Sequence, residues 1–160
     1  MSKFAADTGV PADRSRAEIE RTLARYGADG FMYATSADSA LVAFTKAGLQ
    51  VRFVLAMPLA NDKAFTHWMR GGYPVERTPE AARKLHEQAT RQRWRALALV
   101  IKAKLEAVDA GISVFEDEFL ANIVLPGGGG QLAGEWLRPQ IAEAYRLGTM
   151  PPLLAIGGPK

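Results

Sequence analysis

The chain has 160 residues, of which 48% are hydrophobic and 23% are charged, and its formal net charge is +3. These values are typical of one folded domain and exclude a disordered or low-complexity chain. The absence of cysteine excludes disulfides, thiolate nucleophiles and cysteine-based metal sites. No apolar run is long enough to span a bilayer, and residues 1–11 lack the apolar core of a secretory signal, so we expect a cytoplasmic protein with no membrane partner.

The first element predicted along the chain is a helix. Ser15 and Glu18 have the spacing of a capping box, and Gly27 supplies a stop signal. The residues before this helix are small and polar without periodicity, which is typical of a mobile arm. We therefore expect a mobile N-terminal arm, a single α+β domain and a short tail, at 1–12, 13–156 and 157–160.

A period of two replaces the helical pattern between residues 31 and 56. Three runs rich in β-branched and aromatic residues are separated by short turn signals, which predicts strands at 31–35, 41–46 and 49–56. Connections this short join antiparallel neighbours, because a parallel pair needs a long crossover. The prediction is a three-stranded antiparallel β-meander.

Segment 57–78 is long for a loop and contains several aromatic residues, among them Phe65, Trp68 and Tyr73, together with a Gly-Gly pair. Loops of this length are often functional or partly ordered. Two interpretations stay open: a flap whose aromatic side chains cover the open face of the sheet, or a ligand-binding segment.

A long helix of about 30 residues is predicted after this segment. Thr78 is a good N-cap, Pro79 suits the first helical position, and nothing breaks the pattern before Gly111. We expect this helix to pack on the sheet through Trp94, Leu97 and Ile101.

Short C-terminal helices complete the expected fold. Ser113 and Glu116 suggest a second capping box, the glycines at 127–130 suggest a flexible hairpin or a subunit-contact loop, and a last helix is predicted at 136–147. The fold class is therefore α+β.

The residues that could support catalysis are few. His67 and His86 are the only histidines and belong to no metal-binding motif. The acidic residues at 116–118 are consecutive, so on a helix they point about 100° apart. The glycine run is not followed by the lysine of a phosphate-binding loop. We expect a protein that is not an enzyme, with no catalytic residue, no metal and no cofactor.

The clearest pattern of charge lies on the predicted long helix. Its basic residues are spaced by seven, four and seven, which brings them within roughly 40° of one another on the helix surface. This basic line consists of Lys84, Arg91, Arg95 and Lys102. The line is either a solvated edge of long side chains or one wall of a cationic groove.

The preceding segment favours the groove. Trp68, Arg70 and Tyr73 combine aromatic rings with a cation, and cationic grooves with stacking aromatics are how single-stranded nucleic acid is held without base readout. Together with the basic line, these three residues form the predicted nucleic-acid-binding set.

The order of elements, a helix, a meander and a long basic helix, resembles the core of Red-beta and Erf-type single-strand annealing proteins of phage recombination. Residues 91–126 (RQRWRALALVIKAKLEAVDAGISVFEDEFLANIVLP), with residues 132–154 after them, are also similar to small uncharacterised proteins encoded by tailed phages. The resemblance implies an oligomeric ring or helix in the cytoplasm of a bacterial host, with DNA held between meander and helix and no cofactor.

The first hypothesis is thus a phage-type protein that binds and anneals single-stranded DNA and self-assembles. Charge inverts between the basic residues 77–104 and the acidic residues 105–125, which favours head-to-tail contact between copies. The alternatives are a protein-binding module that acts on a host protein, as a host-takeover or defence-blocking factor, and a virion assembly component.

Overall fold

The structure, a computed structural model, describes residues 9–149. The helices are α1 Ala12–Arg25, α2 Lys63–Thr66, α3 Pro79–Asp109, α4 Phe115–Phe119 and α5 Ala133–Leu147. The strands are β1 Asp29–Thr35, β2 Ser39–Lys46, β3 Leu49–Ala56, β4 His67–Arg70 and β5 Tyr73–Glu76. The predicted α+β class is confirmed; residues 1–8 of the predicted arm, residues 150–156 of the predicted domain and the tail 157–160 lie outside the described residues.

The three-stranded meander has the predicted antiparallel order β1-β2-β3. Its register places Phe44 of β2 beside Phe31 of β1 and Val51 of β3. The side chains at these three positions therefore share one face of the sheet, because partners in an antiparallel pair point to the same side.

That face forms the core together with α1 and α3. Trp94, Leu97 and Ile101 of α3 belong to one buried cluster with Val42 and Phe44 of the sheet. Only 1% of Trp94 is exposed. The predicted packing of the long helix on the sheet is confirmed, and α3 extends over 31 residues from its Thr78 cap.

Both capping boxes predicted from serine are wrong. Helix α1 begins at Ala12, so Ser15 lies inside the helix and its backbone N–H donates to the Pro11 carbonyl oxygen at 3.1 Å. Helix α4 is preceded by Val114, and no side chain in the described part of the chain caps it. In neither place does the predicted serine occupy the N-cap position, which is Pro11 in α1 and Val114 in α4.

The C-terminal segment closes the free side of β3. Val51 forms a bridge with Ile123, and Val124 forms another with Leu132 across the glycine-rich turn. Arg52 donates a hydrogen bond to the Gly130 carbonyl oxygen and ties this turn to the sheet. Helix α5 begins at Ala133, earlier than predicted, because the Glu135 carboxylate accepts the Leu132 N–H at 3.0 Å.

Within residues 9–149, no helix combines the length and the apolar character that crossing a bilayer requires.

Candidate functional site

The segment predicted as a long loop is an ordered unit. Asp62 caps α2 by accepting the Ala64 N–H at 2.9 Å. Strands β4 and β5 then pair as a hairpin whose turn is Gly71-Gly72. Both glycines have left-handed φ angles, 56° and 86°, as a two-residue type I′ turn requires. The Gly-Gly pair between two short alternating runs is a hairpin signal, and it was available in the sequence.

The hairpin brings the three predicted loop residues onto one face. Trp68 is paired with Val75, and Arg70 is paired with Tyr73. Because alternate residues of a strand share a face, Trp68, Arg70 and Tyr73 project on the same side of a narrow two-stranded ribbon.

This face is open to solvent. Trp68 is 42% exposed and Tyr73 is 76% exposed. The flap interpretation is wrong for these two side chains, since neither covers the sheet. Phe65 is the aromatic residue that packs inward, with its ring 5.7 Å from that of His86 on α3.

The hairpin is anchored at its base. The Arg77 backbone N–H donates to the Thr66 carbonyl oxygen at 2.7 Å, and its Nε donates to the His67 carbonyl oxygen at 3.1 Å. His86 Nε2 lies 2.9 Å from the Pro58 carbonyl oxygen. These contacts fix the base of the hairpin against the first turns of α3 and leave its tip exposed.

A cleft of about 400 Å³ lies between α2 and the hairpin. Its walls are mostly apolar, with a lysine that the sequence analysis did not select. The lining residues are Lys63, Ala64, His67, Trp68, Met69 and Pro74. Lys63 could not be placed here from the sequence, because its position depends on how α2 packs beside the ribbon.

The predicted basic line is divided into parts with different surroundings. Lys84 forms an ion pair with Glu80 at 3.0 Å, and both side chains are exposed, so water competes strongly for this contact. Arg91 donates to Gln88 Oε1 at 2.6 Å. Lys102 is exposed, and no residue in 9–149 is in ion-pair contact with it.

Arg95 differs from the other three. Its guanidinium donates to Glu18 of α1 at 2.5 Å, and both side chains are largely covered. Arg95 therefore joins α1 to α3 and is not free to bind a ligand.

Helix α1 covers only part of α3. The Arg16 guanidinium lies 5.3 Å from the Trp94 ring, and a hydrogen bond to Glu106 raises the pKa of Tyr26 at the end of α1. The two helices thus run side by side from about residue 94 to 106. Lys84 lies well before this overlap, on the part of α3 that follows the hairpin, and Arg91 lies about one turn before Trp94.

The acidic stretch is partly neutralised within the chain. Lys104 Nζ donates to Glu118 Oε1 at 3.1 Å and to the Glu118 carbonyl oxygen at 2.7 Å. Glu106 is the partner of Tyr26. Across 9–149, no cluster of three or more potential ligands could hold a metal ion.

Comparison of the chain with protein-family models, with curated proteins and with solved structures finds no match. The functional argument accordingly rests on the geometry of the hairpin and the start of α3.

Proposed function

We propose that this chain is a single-stranded nucleic-acid-binding protein of phage annealing type, which acts as a homo-oligomer in the cytoplasm of a bacterial host. The observation that carries the proposal is the shared, solvent-open face of Trp68, Arg70 and Tyr73 on the β4–β5 hairpin. The resemblance to phage annealing proteins favours DNA as the ligand.

The chemistry of this face suits unpaired bases. Trp68 and Tyr73 offer flat rings on which bases stack, at about 1 to 3 kcal/mol per base. Arg70 lies beside Tyr73 at the hairpin tip, where its guanidinium can pair with a phosphate in a bidentate manner. Bases inside a duplex are already stacked on each other, so this face favours single strands.

The nucleic-acid backbone continues from the hairpin onto α3. Lys84 and Arg91 follow the hairpin on α3, where Lys84 pairs with Glu80 and Arg91 donates to Gln88 of the same helix. A phosphate can replace Glu80 at little cost, because exposed ion pairs are weak, and a phosphate is a stronger acceptor for the Arg91 guanidinium than the neutral Gln88 amide. Lys63 adds a further cation at the cleft.

Titration of a fluorescent oligo-dT with the full chain, followed by anisotropy at several salt concentrations, tests the stacking. Trp68→Ala should lose about 1 to 3 kcal/mol of binding free energy with little change in the salt slope, since stacking releases no counterions. The matched control is Tyr145→Ala, which removes an 86% exposed ring from α5 and should leave affinity unchanged. A Trp68→Ala protein that binds like the parent would contradict the proposal.

The same titration tests the phosphate contacts. Each phosphate contact contributes about 0.7 to the slope of log K against log salt for a single strand. Lys84→Ala/Arg91→Ala removes two such contacts, so its slope should be shallower by about 1.4. Arg95→Ala should leave the slope unchanged, because the Arg95 guanidinium is engaged with Glu18. A slope that falls only in Arg95→Ala would place the backbone on the α1 side of α3 instead.

A protein-binding module is the second candidate, and one observation favours it. The cleft beside the hairpin has mostly apolar walls, with Met69 64% exposed at its edge, and such surfaces suit apolar peptide side chains. Absence of any oligo-dT binding at low salt would give this candidate the lead.

A further inference from the structure

The two edge strands of the three-stranded sheet, β1 and β3, differ in whether their outer backbone groups are hydrogen-bonded. The outer side of β3 is occupied, because Val124 N–H donates to the Gln50 carbonyl oxygen at 2.8 Å and Asn122 Nδ2 donates to the Arg52 carbonyl oxygen at 3.2 Å. Among the described residues, strand β1 pairs only with β2, and all of its residues except Phe31 are exposed. One edge is closed and the other is open.

The register identifies which backbone groups are unpaired at the open edge. Ser36 N–H donates to the Ser39 carbonyl oxygen at 2.8 Å, so this pair is hydrogen-bonded, and alternation makes 34–41 and 32–43 the next hydrogen-bonded pairs. The N–H and C=O groups of Phe31, Tyr33 and Thr35 therefore point away from β2. No backbone or side-chain hydrogen bond within 9–149 occupies them.

Nothing in β1 protects this edge. Proteins usually blunt open edges with lysine, proline or a bulge, whereas residues 31–35 contain only Phe, Met, Tyr, Ala and Thr. The one irregularity of β1 lies before Phe31. An exposed, apolar and regular edge of this kind is a template for another strand.

We propose that the occupant is β1 of a second copy, paired antiparallel about a two-fold axis at Tyr33. This register places Tyr33 opposite Tyr33 and Phe31 opposite Thr35, so the three residues with outward backbone groups meet their own set. The β1–β1 pairing would be the interface of the homo-oligomer, and this inference therefore rests on the self-association part of the proposed function. The two meanders become one six-stranded sheet.

The composition of the strand supports this occupant, because residues 31–35 carry no charge and their pairing places no like charges opposite each other. The side of α1 next to β1 carries Asp13, Arg16 and Glu20 around a depression shared with Phe31 and Tyr33. The Arg16 guanidinium lies 5.1 Å from the Tyr33 ring. A two-fold axis at Tyr33 runs the two α1 helices antiparallel and brings the two Arg16 side chains, each paired with Asp13 of its own chain, towards the axis.

The head-to-tail contact expected from the charge inversion is less well supported, because Lys104 and Glu118 already neutralise each other within one chain. A two-fold contact uses the same surface on both copies and closes at the dimer. Larger assemblies would need a second contact.

Single cysteines test the register directly, because the chain contains no other cysteine. In Tyr33→Cys the two introduced residues face each other with Cα atoms about 5.5 Å apart, within the range of a disulfide, so mild oxidation of the full chain should give a covalent dimer. The control is Thr35→Cys, on the same edge and face, whose two copies would be separated by about 14 Å. Rapid cross-linking of Thr35→Cys, or none of Tyr33→Cys, overturns the proposal.

A charge pair tests the contact without cross-linking. In the proposed register Met32 of one copy lies opposite Ala34 of the other, and Met32 is already 55% exposed. Met32→Glu/Ala34→Glu should weaken the dimer by about tenfold or more, because like charges face each other twice, whereas Met32→Glu/Ala34→Lys should retain it. The mass is measured by light scattering with no nucleic acid present, and circular dichroism checks that both variants are folded.

The outcomes separate this contact from the rest of the function. A parent chain that is monomeric at about 100 µM overturns both the strand contact and self-association. An oligomer that neither variant affects overturns the strand contact alone. Oligo-dT binding is measured separately and is decided by the hairpin variants.

Discussion

Ser15 lies within helix α1 and not at its N-cap, which is Pro11. Its side chain is fully buried between α1 and the core, and its Oγ has no hydrogen-bond partner among the described residues. A buried hydroxyl without a partner loses its hydrogen bonds to water and forms none within the protein to replace them. The residue therefore reduces stability, although its sequence position suggested the opposite.

Ser15→Ala should leave the free energy of unfolding unchanged or raise it by about 1 kcal/mol, since it removes the unpartnered group and keeps nearly the same shape. A true N-cap serine would instead lose about 1 kcal/mol on this change. Urea denaturation of the two proteins distinguishes the cases. Thr78→Ala is the control: Thr78 Oγ1 accepts the Ala81 N–H at 3.3 Å, so this variant should be the destabilised one.

Substitutions of Trp94 on α3 and Trp68 on β4 should separate effects on stability from effects on binding. Trp94 is 1% exposed and Trp68 is 42% exposed. Trp94→Ala should lower the free energy of unfolding by about 3 to 5 kcal/mol through the cavity it leaves, and Trp68→Ala should change it by less than about 0.5 kcal/mol. Equal melting temperatures for the two variants would contradict this assignment of core and surface.

Residue roles were predictable where the signal is local and not where it depends on packing. Thr78 followed by Pro79 fixes the start of α3 by local chemistry alone, and that prediction is confirmed. Arg95 was grouped with three other cations because they share a helix face, but its role depends on Glu18, which lies far away in the sequence. A helical wheel gives the direction in which a side chain leaves the helix, but it does not show which residue of another element lies beside that side chain.

At the scale of elements, the meander and α3 were predictable because their periodicity is long and regular. The β4–β5 hairpin was missed because each strand has only four residues, too few for alternation to stand out from chance. The two glycines of its turn carried the usable signal. The hairpin brings Trp68, Arg70 and Tyr73 onto one face, which the sequence alone could not show because it depends on the register of the two strands. Their role in binding stays a prediction.

Gly134, at the start of α5, is needed because it has no side chain, and not because of its φ angle, which lies outside the left-handed region. A Cβ at Gly134 would lie 2.8 Å from the Ala121 carbonyl oxygen and 2.9 Å from the Ala121 Cβ. Alanine is usually better than glycine within a helix by about 0.5 to 1 kcal/mol. Here the close approach of two backbones should reverse that preference.

Gly134→Ala should therefore lower the free energy of unfolding by about 1 to 3 kcal/mol, as overpacking does, and loosen α5. Urea denaturation measures the first effect, and hydrogen exchange of the α5 amides measures the second. Ala121→Gly in the same chain removes one of the two contacts and should recover part of the loss. A stabilised Gly134→Ala protein would show that α5 does not pack against Ala121.

At the scale of the whole molecule, the open edge of β1 and the hairpin are separate surfaces with separate roles. Pairing through β1 would place two hairpins on one particle. A nucleic-acid strand long enough to reach both would bind the second hairpin at the high effective concentration that linkage provides. Dimerisation and binding would then be coupled through the length of the ligand, without any contact between the two sites.

The consequence is a length-dependent effect of the dimer-breaking variant. Met32→Glu/Ala34→Glu should weaken binding of long oligo-dT by about tenfold or more, since it removes the second attachment, and should leave binding of an oligonucleotide that fills one hairpin unchanged. Met32→Glu/Ala34→Lys, which restores opposite charges across the axis, should bind the long strand as the parent does. Anisotropy titrations with a series of oligo-dT lengths give both affinities under one condition. Equal losses for short and long strands would mean that the β1 edge itself contacts nucleic acid, because removing a second attachment cannot weaken binding at a single hairpin.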